Sequence, residues 1–208
     1  MAVDLVVFDI GRVLLEWDPE GYYDKAMGHV ARVRLFREVP LHEMNLRIDA
    51  GEPWHKTVED TASKHARWQK DVLGWRDHWN KMAGPLIPES VSLLRALRSK
   101  GIPVWALTNF GRETFEYAQS LWPALTEFDG MVVSGHLGVV KPSPEIYAVL
   151  ERDTGVAPDR ILYTDDSAPN IRAAEARGWK THLFDGPAGL RQRFVDEGLL
   201  SPAEARAG

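Results

Sequence analysis

A chain of 208 residues has room for one sizeable core, or one core with a small inserted domain, and for nothing larger. Its 44% hydrophobic and 26% charged residues suit a soluble globular chain, and its apolar runs are too short to cross a bilayer. A net charge of −5 without a Lys/Arg run argues against nucleic acid or an anionic membrane as partner, and the absence of cysteine excludes disulfides and thiolate metal sites.

In chain order, the first expected strand is "DLVVF" (4–8), which runs directly into Asp9 before the chain turns at Gly11. No basic segment followed by a long apolar stretch precedes it, so a secretory signal is not expected and the location expected is cytoplasmic. Residues 15–84 give poor strand signals. Their segments "YYDKAMGHVARVRLFREV", "LHEMNLRIDAG", "EPWHKTVEDTASKHARW" and "QKDVLGWRDHWNKMAG" all look helical. From about residue 86 the pattern alternates. Strands are expected at "IPVWALT" (102–108), "GMVV" (130–133), "RILYT" (160–164) and "KTHLF" (180–184). Between them "ESVSLLRALRSKG", "SPEIYAVLERDTG" and "APNIRAAEARG" read as helices that run out at glycine. The tail "GLLSPAEARAG" reads as a short, fraying helix. The fold class expected is therefore α/β, a Rossmann-like parallel sheet (1–14 and 85–208) interrupted by an inserted α-helical cap (15–84).

In such a sheet, ligands bind beyond the carboxyl ends of the strands. Asp9, Thr108-Asn109 and Asp165-Asp166 each end an expected strand, and Lys141 precedes a helix. Singly, each has an ordinary reading: a turn residue at Asp9, a helix N-cap at Thr108 or Asn109, a solvated Lys141, and a capping cluster before Pro169. Those readings do not account for the joint placement. Adjacent carboxylates at the end of an apolar strand repel each other and lose hydration, so a cation is their natural partner.

The set "FDIGRVL", "LTN", "VKPSPEIY" and "YTDDSAPNIRAA" resembles the four motifs of the haloacid dehalogenase-like (HAD) hydrolase superfamily, in the family's order, with helical material inserted after the first. The resemblance implies a magnesium-dependent phosphomonoester hydrolase for a small metabolite. Asp9 would attack phosphorus and form an aspartyl-phosphate. Mg2+ would be held by the Asp9 side chain, the Gly11 carbonyl and Asp166, with Asp165 acting through water. Thr108 and the Asn109 backbone N–H would hold phosphoryl oxygens, and Lys141 would pair with Asp9 and the phosphate. Asn170 would hold the acidic loop in place.

The sequence departs from the pattern at Gly11, where most phosphatases of the superfamily carry a second Asp that acts as general acid and base. That help is worth about 100- to 10,000-fold. Candidate replacements are Glu16, Asp18, a cap residue or the substrate itself. An Asp-x-Gly first motif resembles the branch acting on glucose 1-phosphate. Arg12, in place of the usual small residue, is expected either to meet the phosphate or a substrate carboxylate or to be solvated. Trp17, Trp54, Trp68, Trp75 and Trp79 suit either packing or stacking on a sugar, and Trp54 beside the Gly51 turn is the substrate-binding candidate among them. The alternatives are a 2-haloacid dehalogenase, which needs no metal, and a non-catalytic binding protein. The partner expected is a small-molecule phosphate ester, and the chain is expected to be a monomer or homodimer.

Overall fold

The computed structural model describes residues 2–206. Its core is a five-stranded, wholly parallel sheet in the order β5-β4-β1-β6-β7. The strands are β1 (Leu5–Phe8), β4 (Val104–Thr108), β5 (Gly130–Val133), β6 (Ile161–Asp165) and β7 (Lys180–Leu183). β1 lies at the centre because every residue of LVVF is buried, leaving no face for solvent, as a parallel strand covered on both sides requires. Helices α7 (Pro88–Ser99), α8 (Arg112–Leu121), α9 (Ser134–Leu137), α10 (Pro144–Thr154), α11 (Ala168–Glu175) and α12 (Pro187–Asp196) supply the connections and cover the faces. Two apolar clusters result. Val6 and Phe8 point to one with Leu94, Leu97 and Phe194, whereas Leu5 and Val7 point to the other with Ile146, Tyr147 and Trp179. The alternation of β1 side chains decides which residue joins which.

Between β1 and α7 come β2 (Leu15–Trp17), helices α1 (Pro19–Met27), α2 (His29–Glu38), α3 (Leu41–Asp49), α4 (Trp54–Lys64), α5 (Gln69–Asp77) and α6 (Trp79–Met82), and then β3 (Ala83–Leu86). β2 and β3 pair antiparallel, so the chain enters and leaves the helical insertion through one two-stranded ribbon. Sequence patterning gave no strand there because the ribbon is so short and one half is the tetrapeptide AGPL. The segment expected as one helix from Tyr22 is two, broken at Gly28, whose φ of 83° is costly for other residues. The insertion has no separate core. Trp75, Val58 and Met44 belong to the same apolar cluster as Phe8, joined through Trp79 and Phe110.

At the C-terminus, Leu199 and Leu200 are buried and Arg191 Nε donates to the Ala205 carbonyl, so the tail is held as far as a 3₁₀ turn at Glu204–Arg206. The end of the expected fraying segment, residues 207–208, lies outside the described residues.

Candidate active site

The sheet ladder continues one residue past β1, since the Asp9 N–H donates to the Thr164 carbonyl at 2.9 Å. Asp9 therefore stands on a rigid strand edge. Beyond it the chain makes a tight turn. The N–H groups of Val13, Leu14 and Leu15 converge on the Ile10 carbonyl, and the Arg12 N–H donates to the Leu15 carbonyl. The Gly11 carbonyl takes none of the turn's backbone hydrogen bonds among the described residues. Arg12 adopts φ 58°, the left-handed conformation that a tight turn demands and a side chain resists.

Lys141 is the hub of the site. Its ammonium is buried, 2.9 Å from Asp9 Oδ1 and 2.7 Å from Asp165 Oδ2, and it also donates to the Leu107 carbonyl and the Tyr163 hydroxyl. Asn109 fixes it from the backbone: the amide Nδ2 donates to the Lys141 carbonyl at 3.0 Å, and Oδ1 accepts the Lys141 N–H at 2.7 Å. The amide thus ties the end of β4 to the loop after β5. Thr108, on the same strand end, is buried with its hydroxyl unpartnered.

Asp165 is saturated. Oδ1 accepts from the Ser167 N–H and from Asn170, and Oδ2 from Lys141, Asn170 and the Tyr163 hydroxyl. Burial alone would raise its pKa, but the Lys141 charge, together with these donors, holds it below the ordinary carboxylate value. Asp9 goes the other way. Burial pushes it up to about 7: Lys141 pulls it down by more than Asp165 and Asp166 push it up, yet does not make good the lost hydration. Asp166, half-buried, is raised by burial and by Asp165, with Arg12 opposing from 3.6 Å.

Ligand atoms of Asp9, Asp165 and Asp166 lie within 4.8 Å of one another. Three carboxylates with one buried ammonium leave an excess of negative charge on hard oxygen donors, a set that fits a magnesium ion. The unused Gly11 carbonyl adds a neutral oxygen of the same kind. The oxygens of Asp165 already accept from Lys141, Asn170, Tyr163 and the Ser167 N–H, so this residue holds Lys141 and its own loop, an arrangement compatible with the expected part through water.

Two connected cavities open here. A wide cleft is lined by Asp9, Arg12, Lys141, Asp166 and Asn170, and a narrower recess under the helical insertion by Leu15, Trp17, Asn45, Trp79 and Phe110. Gly11, Trp17, Asp49 and Asn109 line both. Of the two carboxylates considered as replacements for the missing acid, Asp18 faces the cleft but caps α1 by accepting the Gly21 N–H at 2.8 Å, and the exposed Glu16 lines the recess. Trp54 lines neither cavity. Its indole packs among His55, Trp79 and Tyr117, and its backbone N–H donates to Glu113. The expected stacking position is therefore corrected: Trp54 fastens α4 to α8, whereas Trp17 and Trp79 reach the recess. Sequence reasoning missed Tyr163 and Asp49. Tyr163 reads as a strand apolar, and Asp49 is one carboxylate among many on a helix whose docking only the fold reveals.

The chain belongs to the haloacid dehalogenase-like hydrolase family, whose model matches residues 3–178. It is 25% identical to a sesquiterpene phosphatase of Aspergillus oryzae over 88% of this chain and 90% of that protein. It is 23% identical to the D-ribitol-5-phosphate phosphatase of Bacteroides thetaiotaomicron over 91% of this chain and 96% of that one. The fold is shared with a HAD family enzyme from Bacteroides thetaiotaomicron solved in complex with magnesium and inorganic phosphate, at a TM-score of 0.65 and 21% identity, covering 87% of this chain and 93% of the other. Among the described residues no helix is long and apolar enough to cross a membrane.

Proposed function

We propose that this hydrolase is a magnesium-dependent phosphomonoesterase acting on a small organic phosphate, with residues 15–84 as the cap over its site. The observation that carries the reading is the Asp9–Lys141–Asp165 constellation at a strand edge, with Asp166 completing an acidic triad around one ammonium. The phosphatases of similar sequence and the magnesium and phosphate bound by the structural relative support it.

Asp9 Oδ1 is held by the Ile10 N–H at 2.7 Å and by Lys141, which leaves Oδ2 to attack phosphorus in line. Lys141 stays protonated between two carboxylates and faces the charge that gathers on the phosphoryl oxygens. Thr108 offers its free hydroxyl, and the Asn109 backbone N–H a further donor, to the same oxygens. Asp9, Asp166 and the Gly11 carbonyl would hold Mg2+, which when bound draws electron density from the phosphoryl group and keeps Asp9 ionised at neutral pH. The recess takes the organic part of the substrate. Aromatic faces at Trp17 and Trp79 beside polar Asn45, Glu16 and Thr114 suit a polyol or sugar, whose ring has apolar faces and a hydroxyl rim.

Phosphate release from p-nitrophenyl phosphate and a panel of sugar phosphates, with magnesium or EDTA, tests this. Release should need the metal and fall at least about 1,000-fold in Asp9→Asn, which removes the nucleophile with little change of size. Full turnover by Asp9→Asn sinks the assignment of the nucleophile, and metal-independent halide release from 2-haloacids moves the protein to the dehalogenase chemistry of its family.

A further inference from the structure

The cleft and the recess meet at one carboxylate borne by the cap, Asp49, the last residue of α3. On one side of it lie Asp9 and Lys141, on the other Trp17, Trp79 and Phe110. A phosphate ester with its phosphoryl group at Asp9 and its organic part in the recess has its bridging oxygen at that boundary.

Asp49 is held in place from both sides of the cap–core junction. Asn45 Nδ2 donates to its Oδ2 at 2.9 Å, and the Asn45 amide is itself oriented by the buried Trp75, whose Nε1–H donates to Asn45 Oδ1 at 3.2 Å. The Gly111 backbone N–H, at the start of α8, pulls the carboxyl's pKa down. Ser134 Oγ–H donates to the Asp49 carbonyl at 2.6 Å, and a Cβ on Gly51 would stand 2.9 Å from the Gly135 carbonyl oxygen, so only glycine lets this turn seat against the core. Among the described residues the side-chain donor to the Asp49 carboxyl is the neutral amide of Asn45. Burial raises its pKa to about 7, with Gly111, Asn45 and the more distant Lys141 pulling down and Asp9 pushing up, so a proton is held there near neutrality. Meanwhile Gly11 offers no side chain at the position where the family resemblance puts the proton shuttle, and a Cβ built on it meets no atom within 4 Å.

We propose that Asp49 is the general acid and base of this enzyme, acting from the cap in place of the side chain absent at Gly11; this rests on the phosphomonoesterase function proposed above. As the Asp9 oxygen bonds to phosphorus, the phosphorus–oxygen ester bond breaks, its electron pair goes to the leaving oxygen, and that oxygen takes the carboxyl proton of Asp49. The resulting Asp49 carboxylate accepts a proton from water as its oxygen attacks phosphorus. The bond to Asp9 then breaks with its electron pair returning to Asp9, phosphate departs, and Asp49 is again protonated.

The experiment compares kcat/KM for p-nitrophenyl phosphate, whose leaving group needs no proton, with kcat/KM for a simple alkyl phosphate, in wild type, Asp49→Asn and Gly11→Asp/Asp49→Asn. Asp49→Asn should lose about 100- to 10,000-fold on the alkyl ester and about 10-fold or less on the p-nitrophenyl ester, with a burst of p-nitrophenolate because the water step also lacks its base. The double variant should recover at least about 10-fold of the alkyl activity, since it restores a carboxyl where open space exists. Equal losses on both esters, no burst and no recovery mean that Asp49 only supports the fold, and overturn the assignment. Should Asp49→Asn not fold, Asp49→Ser gives the same ratio of losses. Wild type that hydrolyses neither ester overturns the phosphomonoesterase reading, and the acid with it; wild type that hydrolyses both while the losses are uniform overturns the acid alone.

Discussion

The strand edge and the cap edge face each other across one cleft, and each removes a carboxylate from water, yet they leave it in different states. At the strand edge Asp165 touches an ammonium at 2.7 Å, accepts from Tyr163, Asn170 and the Ser167 N–H as well, and its pKa falls. At the cap edge the Asp49 carboxyl accepts from the neutral amide of Asn45, with no cation in contact among the described residues, and burial raises its pKa to about 7. Burial alone does not decide charge; what decides it is whether the positive charge and hydrogen-bond donors at the carboxylate outweigh the hydration it has lost. Asp9 stands between the two cases, in contact with Lys141 yet raised to about 7, because the hydration it loses on burial outweighs the pull of that one ammonium, which it shares with Asp165.

Removing the ammonium is the most direct way to break the contrast. Lys141→Met strips the strand edge of its buried cation and leaves Asp9 and Asp165 as uncompensated neighbours. Breaking one side of a buried ion pair costs about 3–5 kcal/mol, which for a chain of this size lowers Tm by on the order of 10 °C. The loss should be smaller at pH 5 than at pH 8, where both carboxylates resist protonation. Calorimetry of the two proteins at those pH values measures it, and an equal loss at both would show that the packing of the lysine stem, not its charge, holds the site together.

A smaller effect, still measurable in the native sequence, comes from pH. Asp9 and Asp49 both have folded pKa values near 7 against about 4 for an unfolded aspartate. The folded chain therefore holds more protons than the unfolded chain between those values, and stability is greatest below the unfolded pKa and falls as pH rises through 7. Asp165, lowered in the fold, works in the opposite sense only as pH falls below about 4. In EDTA, Tm should therefore be several degrees higher at pH 5 than at pH 8. Magnesium should raise Tm more at pH 8, where the Asp9 and Asp166 carboxylates are free of protons to bind it. A Tm in EDTA that rises from pH 5 to pH 8 would reverse the sign assigned to Asp9 and Asp49.

The two edges were also unequally legible in the sequence. The strand edge could be read from local pattern, because an apolar run ending in a carboxylate, repeated at Asp9 and Asp165, is a short-range signal, and the parallel order of the strands follows from alternation with helices. Even there the saturation of Asp165 was hidden, since it depends on Asn170 five residues on and on Tyr163, whose hydroxyl reaches forward two residues along its own strand. The cap edge could not be read this way. Whether Asp49 or Trp54 faces the cleft depends on how α3 and α4 dock against Gly111, Glu113 and Gly135, contacts between residues 59 to 85 positions apart in the chain. Helical periodicity says which face of α4 is buried and nothing about what it is buried against, which is why the indole assigned to substrate turned out to be a fastener.

Arg12 gives the smallest and most discriminating effect, because this cation at the strand edge, unlike Lys141, is not fixed by burial. Its side chain is 58% exposed, held by Nε donating to the Trp17 carbonyl at 3.2 Å and by a 3.6 Å approach to Asp166. An ion pair of that length in solvent is worth about 0–1 kcal/mol, so Arg12→Ala should leave Tm within about 3 °C of wild type. Its charge nevertheless sits against the carboxylate that the proposed function gives to magnesium, so on that reading the two cations compete for Asp166. Removing the guanidinium should tighten magnesium binding by a few-fold, read by titration calorimetry in the absence of phosphate, while binding of inorganic phosphate to the magnesium-loaded protein weakens if the same guanidinium reaches the phosphoryl oxygens. Weaker magnesium binding in Arg12→Ala would mean that Arg12 shapes the Gly11 turn, through its left-handed backbone and its grip on Trp17, more than it competes for the metal.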